Sequence, residues 1–177
     1  MRDIEFRLIC ELMKNSRRSD RELAKAVGVS QPTVSRLIKK LERQGTIREY
    51  TMIPDYRQVG LELAAVTFLS LRETVSQGEI EKLRRRIREQ EGEKPYPSIL
   101  VLNGIGLGSD RVIVSLHESY SKYAEFIRVV KEHPLVRIDE VKSFIVNLVD
   151  KNHFQNLTFS GLAKYLLHNE AVQKTKK

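Results

Sequence analysis

The side chains best suited to chemistry in this chain lie close together, between residues 31 and 43. They are amides, hydroxyls, guanidinium groups and ammonium groups, with no cysteine or histidine among them. Such groups hydrogen-bond to base edges and neutralise phosphates. The residue types therefore indicate binding to a nucleic acid rather than catalysis. The predicted DNA-binding residues are Gln31, Thr33, Ser35, Arg36, Lys39, Lys40 and Arg43.

A short helix precedes this stretch and must hold it in place. Ser19 is a good N-cap, and Glu22 follows it at the spacing of a capping box. Gly28 can take the left-handed conformation that ends a helix at low cost. A further helix is predicted over 3–15, with a core face of Ile4, Leu8, Ile9, Leu12 and Met13.

The helix that carries residues 31–43 begins after Ser30, a predicted N-cap. It has Pro32 in its first turn and ends at Gly45. Its apolar residues form one stripe, opposite the polar and cationic face. A solvated helix rich in lysine and arginine is the simpler explanation, but the capped turn and the small Ala24 at the helix crossing favour a DNA-binding helix-turn-helix. The stripe comprises Val34, Leu37, Ile38 and Leu41; the outward face comprises Thr33, Arg36, Lys40 and Arg43, with Gln31, Ser35 and Lys39 at its margins.

Composition limits the partners and the compartment. The 177 residues carry a net charge of +8, and residues 1–60 hold 13 Lys+Arg against 8 Asp+Glu. A basic first third suits a polyanion, although RNA or an anionic membrane would suit the charge nearly as well. The sequence predicts no transmembrane helix and no signal peptide, and the single Cys10 permits no intrachain disulfide. We therefore predict a cytoplasmic protein without a membrane partner.

Residues 46–55 alternate between apolar and polar types, which predicts a strand. A strand hairpin after a helix-turn-helix is a wing, in which Arg48 and Tyr50 lie against a DNA backbone or Tyr50 packs internally. Pro54 ends this strand and opens a linker. The predicted boundaries are 1–53 for the winged helix-turn-helix, 54–60 for the linker, 61–151 for a second domain and 152–177 for an amphipathic helix with a basic tail.

The second domain has the predicted order β-α-β-β-α-β, which is a ferredoxin-like unit of one antiparallel sheet with two helices on one face. The predicted fold class is therefore α+β: an N-terminal winged helix-turn-helix, a C-terminal ferredoxin-like βαββαβ domain and an extra C-terminal helix. The predicted elements are strands at 61–72, 95–103, 111–119 and 139–150, and helices at 78–90 and 120–133.

The last two strands of this domain are apolar on both sides, as Phe144 and Ile145 illustrate. Because an apolar sheet face exposed to water is an interface, the pattern predicts sheet-on-sheet or edge-to-edge dimerisation. The alternative is that the C-terminal segment folds back over the sheet. That segment is a predicted helix, which docks on its own domain or on a neighbouring subunit; its apolar residues are Phe159, Leu162, Ala163, Leu166 and Leu167.

Three other patterns carry little chemistry. The glycine-rich stretch at 104–110 leads into a strand, whereas a dinucleotide-binding loop opens a helix, so a turn or a contact through bare N–H groups is expected. The four histidines are scattered without ligand spacing, which predicts no metal site, and His117 suits a structural role on the sheet. The arginines at 84–88, flanked by glutamates, indicate a solvated, ion-paired helix face.

This arrangement resembles the Lrp/AsnC family of bacterial and archaeal transcription regulators over about residues 3–150. The resemblance rests on the strings R-D-I-E-F-R-L-I-C-E-L, R-E-L-A-K-A-V-G-V-S-Q-P-T-V-S-R-L-I-K-K-L-E-R-Q-G-T-I-R-E-Y and L-E-L-A-A-V-T-F-L-S-L, of which the second is the most specific. It implies a homodimer formed through the ferredoxin-like domains and often assembled further. It also implies palindromic operators and, in many members, a small effector that is commonly an amino acid.

In the family, a short Gly-x-x-Asp loop between the second and third strands of this domain helps to form an effector pocket between dimers. The corresponding stretch of this chain is longer and carries three glycines at alternate positions. The candidate effector-binding residues that the resemblance implies are Gly104, Gly106, Gly108, Ser109 and Asp110.

The predicted function is a sequence-specific DNA-binding transcriptional regulator, a homodimer or larger assembly, without catalytic residues, metal or cofactor. One alternative is an architectural protein that coats DNA regardless of sequence. Another is an enzyme, because certain haem-pathway decarboxylases resemble the same two-domain family. The basic and polar outer face of residues 31–43 favours DNA binding.

Overall fold

The computed structural model describes residues 3–71, 96–132, 138–150, 152 and 157–175. The chain divides into two compact units. The first comprises Met1–Ile53 together with Asn156–Lys177, and the second comprises Pro54–Gln155. The C-terminal segment thus belongs to the same unit as the N-terminal helices, although the second unit separates them in the sequence.

Three helices form the N-terminal part of the first unit: α1 spans Asp3–Lys14, α2 spans Asp20–Val27 and α3 spans Gln31–Arg43. Each presents apolar residues at intervals of three and four, so the three stripes meet in one core. The buried members are Leu8, Leu12, Leu23, Ala24, Val27, Val34 and Leu41, and Ile9, Val29, Leu37, Ile38 and Ile47 pack against them.

The first turn of α1 departs from the predicted core face. Ile4 is 39% exposed, whereas Glu5 is only 4% exposed. Glu5 stands three residues before Leu8 and seven before Leu12, so helical geometry puts its carboxylate on the buried stripe. Cys10 is fully buried as a small core residue outside any disulfide.

Residues 46–55 follow α3 without forming a strand. Gly45 has a φ of 66°, and the N–H groups of Thr46 and Ile47 donate to the Leu41 carbonyl at 2.9 and 3.2 Å, so this stretch first completes the end of α3. The strand predicted here is wrong. Period-two alternation forms a strand only beside a partner strand, and the described residues of this unit contain none.

The second unit contains a four-stranded antiparallel sheet with the order β2-β3-β1-β4. Pairing places Val66 between Val114 and Phe144, so the first strand lies between the third and the fourth. The predicted ferredoxin-like architecture is confirmed, and its helix at 78–90 lies outside the described residues. The elements are β1 at Leu63–Leu71, β2 at Ser98–Gly106, β3 at Ser109–His117, α4 at Tyr120–Lys131 and β4 at Ile138–Asn147.

Helix α4 covers one face of this sheet. Tyr123 packs with Leu63 and Ala65, and Phe126 packs with Leu69 and Ile113. The contact follows from alternation, since side chains at every second position of a strand share a face. Tyr123 and Phe126 are buried, and Ile127 and Val130 of the same helix pack against the core.

The other face of the sheet is apolar and exposed. One row across it runs Leu100, Val114, Val66 and Phe144. Phe144 is 65% exposed and Leu102, in the neighbouring row, is 51% exposed. Ile113 of β3 and Val141 of β4 thus pack under α4, whereas Phe144 on the opposite side of β4 is open to solvent.

The last helix, α5, spans Ser160–Thr175 and packs against α1 of the first unit. Ala163 is fully buried, and Leu166 and Leu167 are partly buried, whereas Leu162 and Tyr165 are exposed. The predicted C-terminal helix is confirmed, and its docking site is on the N-terminal helices. None of the helices in the described ranges combines the length and apolarity that crossing a membrane requires.

Candidate nucleic-acid interface

The turn that joins α2 to α3 is fixed by local hydrogen bonds. The Ser19 N–H donates to Glu22 Oε2 at 2.8 Å, and the Glu22 N–H donates to Ser19 Oγ at 3.3 Å, which completes the predicted capping box. Hydrogen bonds from Ser19 lower the pKa of Glu22. Gly28 has a φ of 77°, and its N–H donates to the Ala24 carbonyl at 2.9 Å. The sequence prediction of this helix and its glycine end is confirmed.

The start of α3 differs in one detail from the prediction. Ser30 occupies the N-cap position with extended backbone, and Pro32 lies in the first turn, as expected. However, the Ser30 hydroxyl makes no cap hydrogen bond to the backbone and lies 2.8 Å from the Thr33 hydroxyl. Thr33 is the third helical residue, the position from which side chains reach back to an N-cap, so a bond between two hydroxyls takes the place of the backbone cap.

Helix α3 buries one side and exposes the other. Val34 and Leu41 are buried, and Leu37 and Ile38 pack against the same core, so the predicted stripe is confirmed. A shallow, open groove runs along the outer side of the helix. It is lined by Pro32, Ser35, Arg36, Lys39, Glu42 and Arg43.

The seven predicted DNA-binding residues divide into two groups. Gln31, Arg36, Lys39 and Arg43 are exposed, whereas Thr33, Ser35 and Lys40 are partly buried. The outward face is therefore centred on Arg36, Lys39 and Arg43. An α-helix turns by about 100° per residue, so Thr33 and Lys40, each one position from a fully buried residue, lie at the flank. The sequence prediction had placed Thr33 and Lys40 on the face and Lys39 at its margin.

Lys40 has a partner inside the protein. Its Nζ lies 2.6 Å from Oε1 of Glu5, which is on α1 and nearly fully buried. This contact corrects the expected role of Lys40 as a free phosphate ligand, because its charge already neutralises a carboxylate in the core. Sequence reasoning missed Glu5, although a charged residue on the apolar stripe of α1 was the available signal.

Two cations at the junction of α1 and α2 pair with one carboxylate. Arg18 is paired with Glu11 of α1 and donates from Nη2 to the Glu22 carbonyl at 3.3 Å, so it connects the first two helices. Lys14 Nζ lies 2.5 Å from the same Glu11 carboxylate. Burial acts to raise the pKa of Glu11, but the hydrogen bonds from Lys14 and Arg18 outweigh it and lower the pKa.

Tyr50 links the segment after α3 back to the groove. Its phenol donates to Oε1 of Glu42 at 3.0 Å. Burial and the hydrogen bond to Glu42 raise the pKa of Tyr50 to about 12. Tyr50 therefore stays protonated at neutral pH, and it holds Glu42, a carboxylate that lines the cationic groove.

The second predicted site forms a tight hairpin in the other unit. Gly104 and Gly106 belong to β2, Gly106 pairs with Ser109, and only Leu107 and Gly108 form the turn. These two turn residues have φ values of 52° and 68°, as a two-residue type I′ turn requires. The glycine-rich stretch is thus shorter as a loop than the sequence predicted.

Asp110 has a structural contact in this hairpin. Its Oδ2 accepts a hydrogen bond from the Leu71 N–H at 2.9 Å, so the carboxylate closes the end of β1. Ile105 and Leu107 are almost fully exposed at the hairpin tip. The five candidate effector-binding residues therefore lie together, but one carboxylate among them already has a partner.

His117 is structural, as expected. It is buried on the α4 side of the sheet, with Nε2 2.9 Å from Ser115 Oγ and its ring against Tyr123 and Phe126. Burial lowers the pKa of His117, against an opposing effect of Glu118. No cluster of three or more His, Cys, Asp or Glu side chains that could hold a metal ion occurs in the described part of the chain. His133, His153 and the arginines at 84–88 lie outside it.

The capped helix α2, the turn at Gly28 and the outward cationic face of α3 define a helix-turn-helix protein. In agreement, a family model for winged helix-turn-helix DNA-binding domains matches residues 1–48. The HTH-type transcriptional regulator LrpC of Bacillus subtilis is 32% identical over 85 residues, which cover 48% of this chain and 56% of that protein. Over this part the chain is similar to regulators of the Lrp type.

Solved structures agree with this fold along most of the chain. An AsnC family transcriptional regulator from Agrobacterium tumefaciens has a TM-score of 0.66 at 20% identity and covers 82% of this chain and 90% of that one. A transcriptional regulator from Neisseria meningitidis, solved as a complex with L-Met, has a TM-score of 0.67 at 20% identity and covers 92% and 99%. By contrast, the sequence alignments span about half of the curated relatives or less, from 37% to 56% of their lengths.

Proposed function

We propose that this protein is a sequence-specific DNA-binding transcriptional regulator. The observation that carries the proposal is the outer face of α3, where Arg36, Lys39 and Arg43 are exposed above a buried stripe. A helix held in this way enters the major groove, and its first residues contact base edges. The names of the relatives, which are transcriptional regulators, support the same class and a non-enzymatic role.

The exposed residues have different roles in this proposal. Gln31 and Arg36 stand in the first half of α3 and donate to base edges, since an arginine pairs with guanine and a glutamine pairs with adenine. Lys39 and Arg43 stand further along the helix and neutralise phosphates. Ser35 lines the same groove and offers a hydroxyl to either kind of group.

The test is selection of binding sites from a pool of randomised duplexes with the full-length protein. Enrichment of one inverted-repeat motif is expected, and Arg36→Ala should still bind DNA but enrich a more degenerate motif. Arg128→Ala, which removes an exposed arginine from α4, is the matched control and should leave the motif unchanged. Equal affinity for selected and random duplexes would instead identify an architectural DNA-binding protein, and no binding to any duplex would contradict the proposal.

We propose a homodimer or a larger assembly of this chain. Its support is the open sheet face, on which Phe144, Leu102 and Leu100 are about half exposed or more in the single chain. Exposed apolar surface of this kind marks an interface in a globular protein. A two-fold dimer also gives an operator with two inverted half-sites, which is what the selection experiment expects. Such a protein acts in the cytoplasm, as the sequence suggested.

We further propose that a small effector, an amino acid, modulates DNA binding. The support is the related fold of the Neisseria meningitidis regulator, which was solved with L-Met. The candidate site is the β2–β3 hairpin with Gly104, Gly106, Gly108, Ser109 and Asp110. Calorimetric titration with the standard amino acids tests this: saturable binding by at least one is expected, weakened by Ser109→Ala and retained by Ser121→Ala, an exposed serine on α4. Binding that Ser109→Ala leaves intact would move the site elsewhere.

A further inference from the structure

The ion pair between Glu5 and Lys40 joins the first helix to the helix that carries the cationic face. The two residues are 35 positions apart in the sequence, and Nζ lies 2.6 Å from Oε1. The Glu5 side chain is 5% exposed, and that of Lys40 is 38% exposed. One end of the pair is therefore in the core, and the other reaches the flank of the DNA-facing surface.

The direction of Lys40 separates it from its neighbours on α3. Arg36, Lys39 and Arg43 line the outer groove, and Lys40 does not. Lys40 follows Lys39 directly, so the two ammonium groups leave the helix on sides about 100° apart. Lys39 points toward the place that DNA would occupy, while Lys40 points toward α1.

Energetics favour keeping this arrangement when DNA binds. A phosphate contact by an exposed lysine is weak and is screened by salt. Moving Lys40 to a phosphate would take the neutralising ammonium away from a buried carboxylate, which is a much larger loss. The state of lower free energy is the one in which Lys40 stays paired with Glu5 and the three groove cations contact the DNA.

From this geometry we infer that Glu5 is a positioning residue for DNA binding, which holds Lys40 away from the phosphates and fixes the crossing of α3 over α1. The inference rests on the proposed function, since it concerns the same face of α3. In addition, the buried carboxylate of Glu5 determines how many cations of α3 can neutralise DNA phosphates. Removing Glu5 should therefore release an additional phosphate ligand.

The experiment measures the dependence of affinity on salt, using the full-length protein and one short duplex of arbitrary fixed sequence. Each neutralised phosphate contributes about 0.9 to the slope of log K against log salt concentration. Glu5→Leu should make the slope steeper by about 0.9, because leucine suits the apolar stripe and frees Lys40. Lys40→Met should leave the slope unchanged, and the double variant Glu5→Leu/Lys40→Met should return it to the wild-type value. The matched control Lys39→Met should make it shallower by about 0.9.

Several outcomes would overturn the inference. One is an unchanged salt slope for Glu5→Leu. Another is a salt slope for Lys40→Met that is reduced as much as the slope for Lys39→Met. If Glu5→Leu fails to fold, Lys40→Met and the apolar double variant still decide the question. Wild-type protein that binds no duplex would contradict the proposed function itself. In that case urea unfolding of the single and double variants tests the ion pair alone. The double variant should be less destabilised than the sum of the two single changes predicts, and strict additivity would count against a coupled pair.

Discussion

The phenol of Tyr50 donates a hydrogen bond to Glu42 Oε1 over 3.0 Å, and this contact holds the irregular segment after α3 against that helix. Glu42 lines the same groove as Arg36, Lys39 and Arg43. A carboxylate close to a DNA backbone is unfavourable because both groups are negatively charged. The hydrogen bond from Tyr50 gives the Glu42 carboxylate a partner within the protein. The segment in the place of a wing thus contacts the groove of α3 without forming a strand.

The Tyr50–Glu42 contact predicts a loss of stability at high pH. The unfolded phenol has a pKa near 10, and the folded pKa is about 12, so the folded state retains this proton longer. The contribution is complete below pH 10 and is lost as the pH rises toward 12. The free energy of unfolding, measured with urea, should fall more between pH 9 and pH 11 for wild type than for Tyr50→Phe. Tyr165→Phe, at an exposed position on α5, should behave like wild type.

Arg36 and Lys39 should differ in what their loss does to DNA binding. Arg36→Ala removes a donor to base edges, so affinity for the selected motif should fall by about 1–3 kcal/mol and discrimination against random sequence should fall with it. Lys39→Ala should weaken both duplexes alike, because a phosphate contact carries no sequence information. Fluorescence anisotropy with the two duplexes measures both effects. An equal loss on both duplexes for Arg36→Ala would assign Arg36 to the phosphates.

Buried His117 predicts a loss of stability at mildly acidic pH. Burial lowers its folded pKa below the unfolded value of about 6.5, so the unfolded state binds the proton first as the pH falls. The contribution of neutral His117 to stability is fully present above the unfolded pKa and decreases as the pH falls below it. The urea midpoint should drop more between pH 7.5 and pH 5.5 for wild type than for His117→Asn. His168→Gln, which changes an exposed histidine on α5, is the control, and a similar flattening in that variant would contradict the assignment.

Phe144 and Tyr120 provide a matched test of the open sheet face. Each is an aromatic residue that is 65% exposed, but Phe144 lies on the open face and Tyr120 lies on α4. If the open face is the dimer interface, Phe144→Glu places a charge in it and should shift the protein to the monomer. Tyr120→Glu should keep the oligomeric state of wild type. Light scattering after size-exclusion chromatography measures the mass, and a dimeric Phe144→Glu variant would exclude this face.

Gly108 and Gly104 test the hairpin that carries the candidate effector site. Gly108 has a φ of 68°, where an added Cβ costs roughly 1–2 kcal/mol, whereas Gly104 has no positive φ and open space around it. Gly108→Ala should therefore lower the free energy of unfolding by about 1 kcal/mol, and Gly104→Ala should change it little. Chemical denaturation gives both values. Equal losses in the two variants would show that the turn is not held as described.

Local patterns predicted most of this architecture. Ser19, Glu22 and Gly28 specify a helix start and end through contacts within a few residues, so the sequence alone locates α2. The same holds for the stripe of α3, whose members recur at helical spacing, and for the sheet strands, whose order of elements defines the ferredoxin-like unit. The strand predicted at 46–55 failed because a strand depends on a partner that local alternation does not specify.

The identity of the site was determined by the sequence, and its exact composition by the tertiary structure. Amides and cations on one face of a capped helix suffice to predict a DNA-binding surface. Which of two adjacent lysines lines the outer groove depends on how far the helix is rotated against its core, and on the carboxylate that Glu5 brings from α1. The docking of α5 on α1 is also a long-range contact. Interactions between residues far apart in the chain leave no periodic signal, so only the folded molecule reveals that Lys39 faces outward and that Lys40 is paired with Glu5.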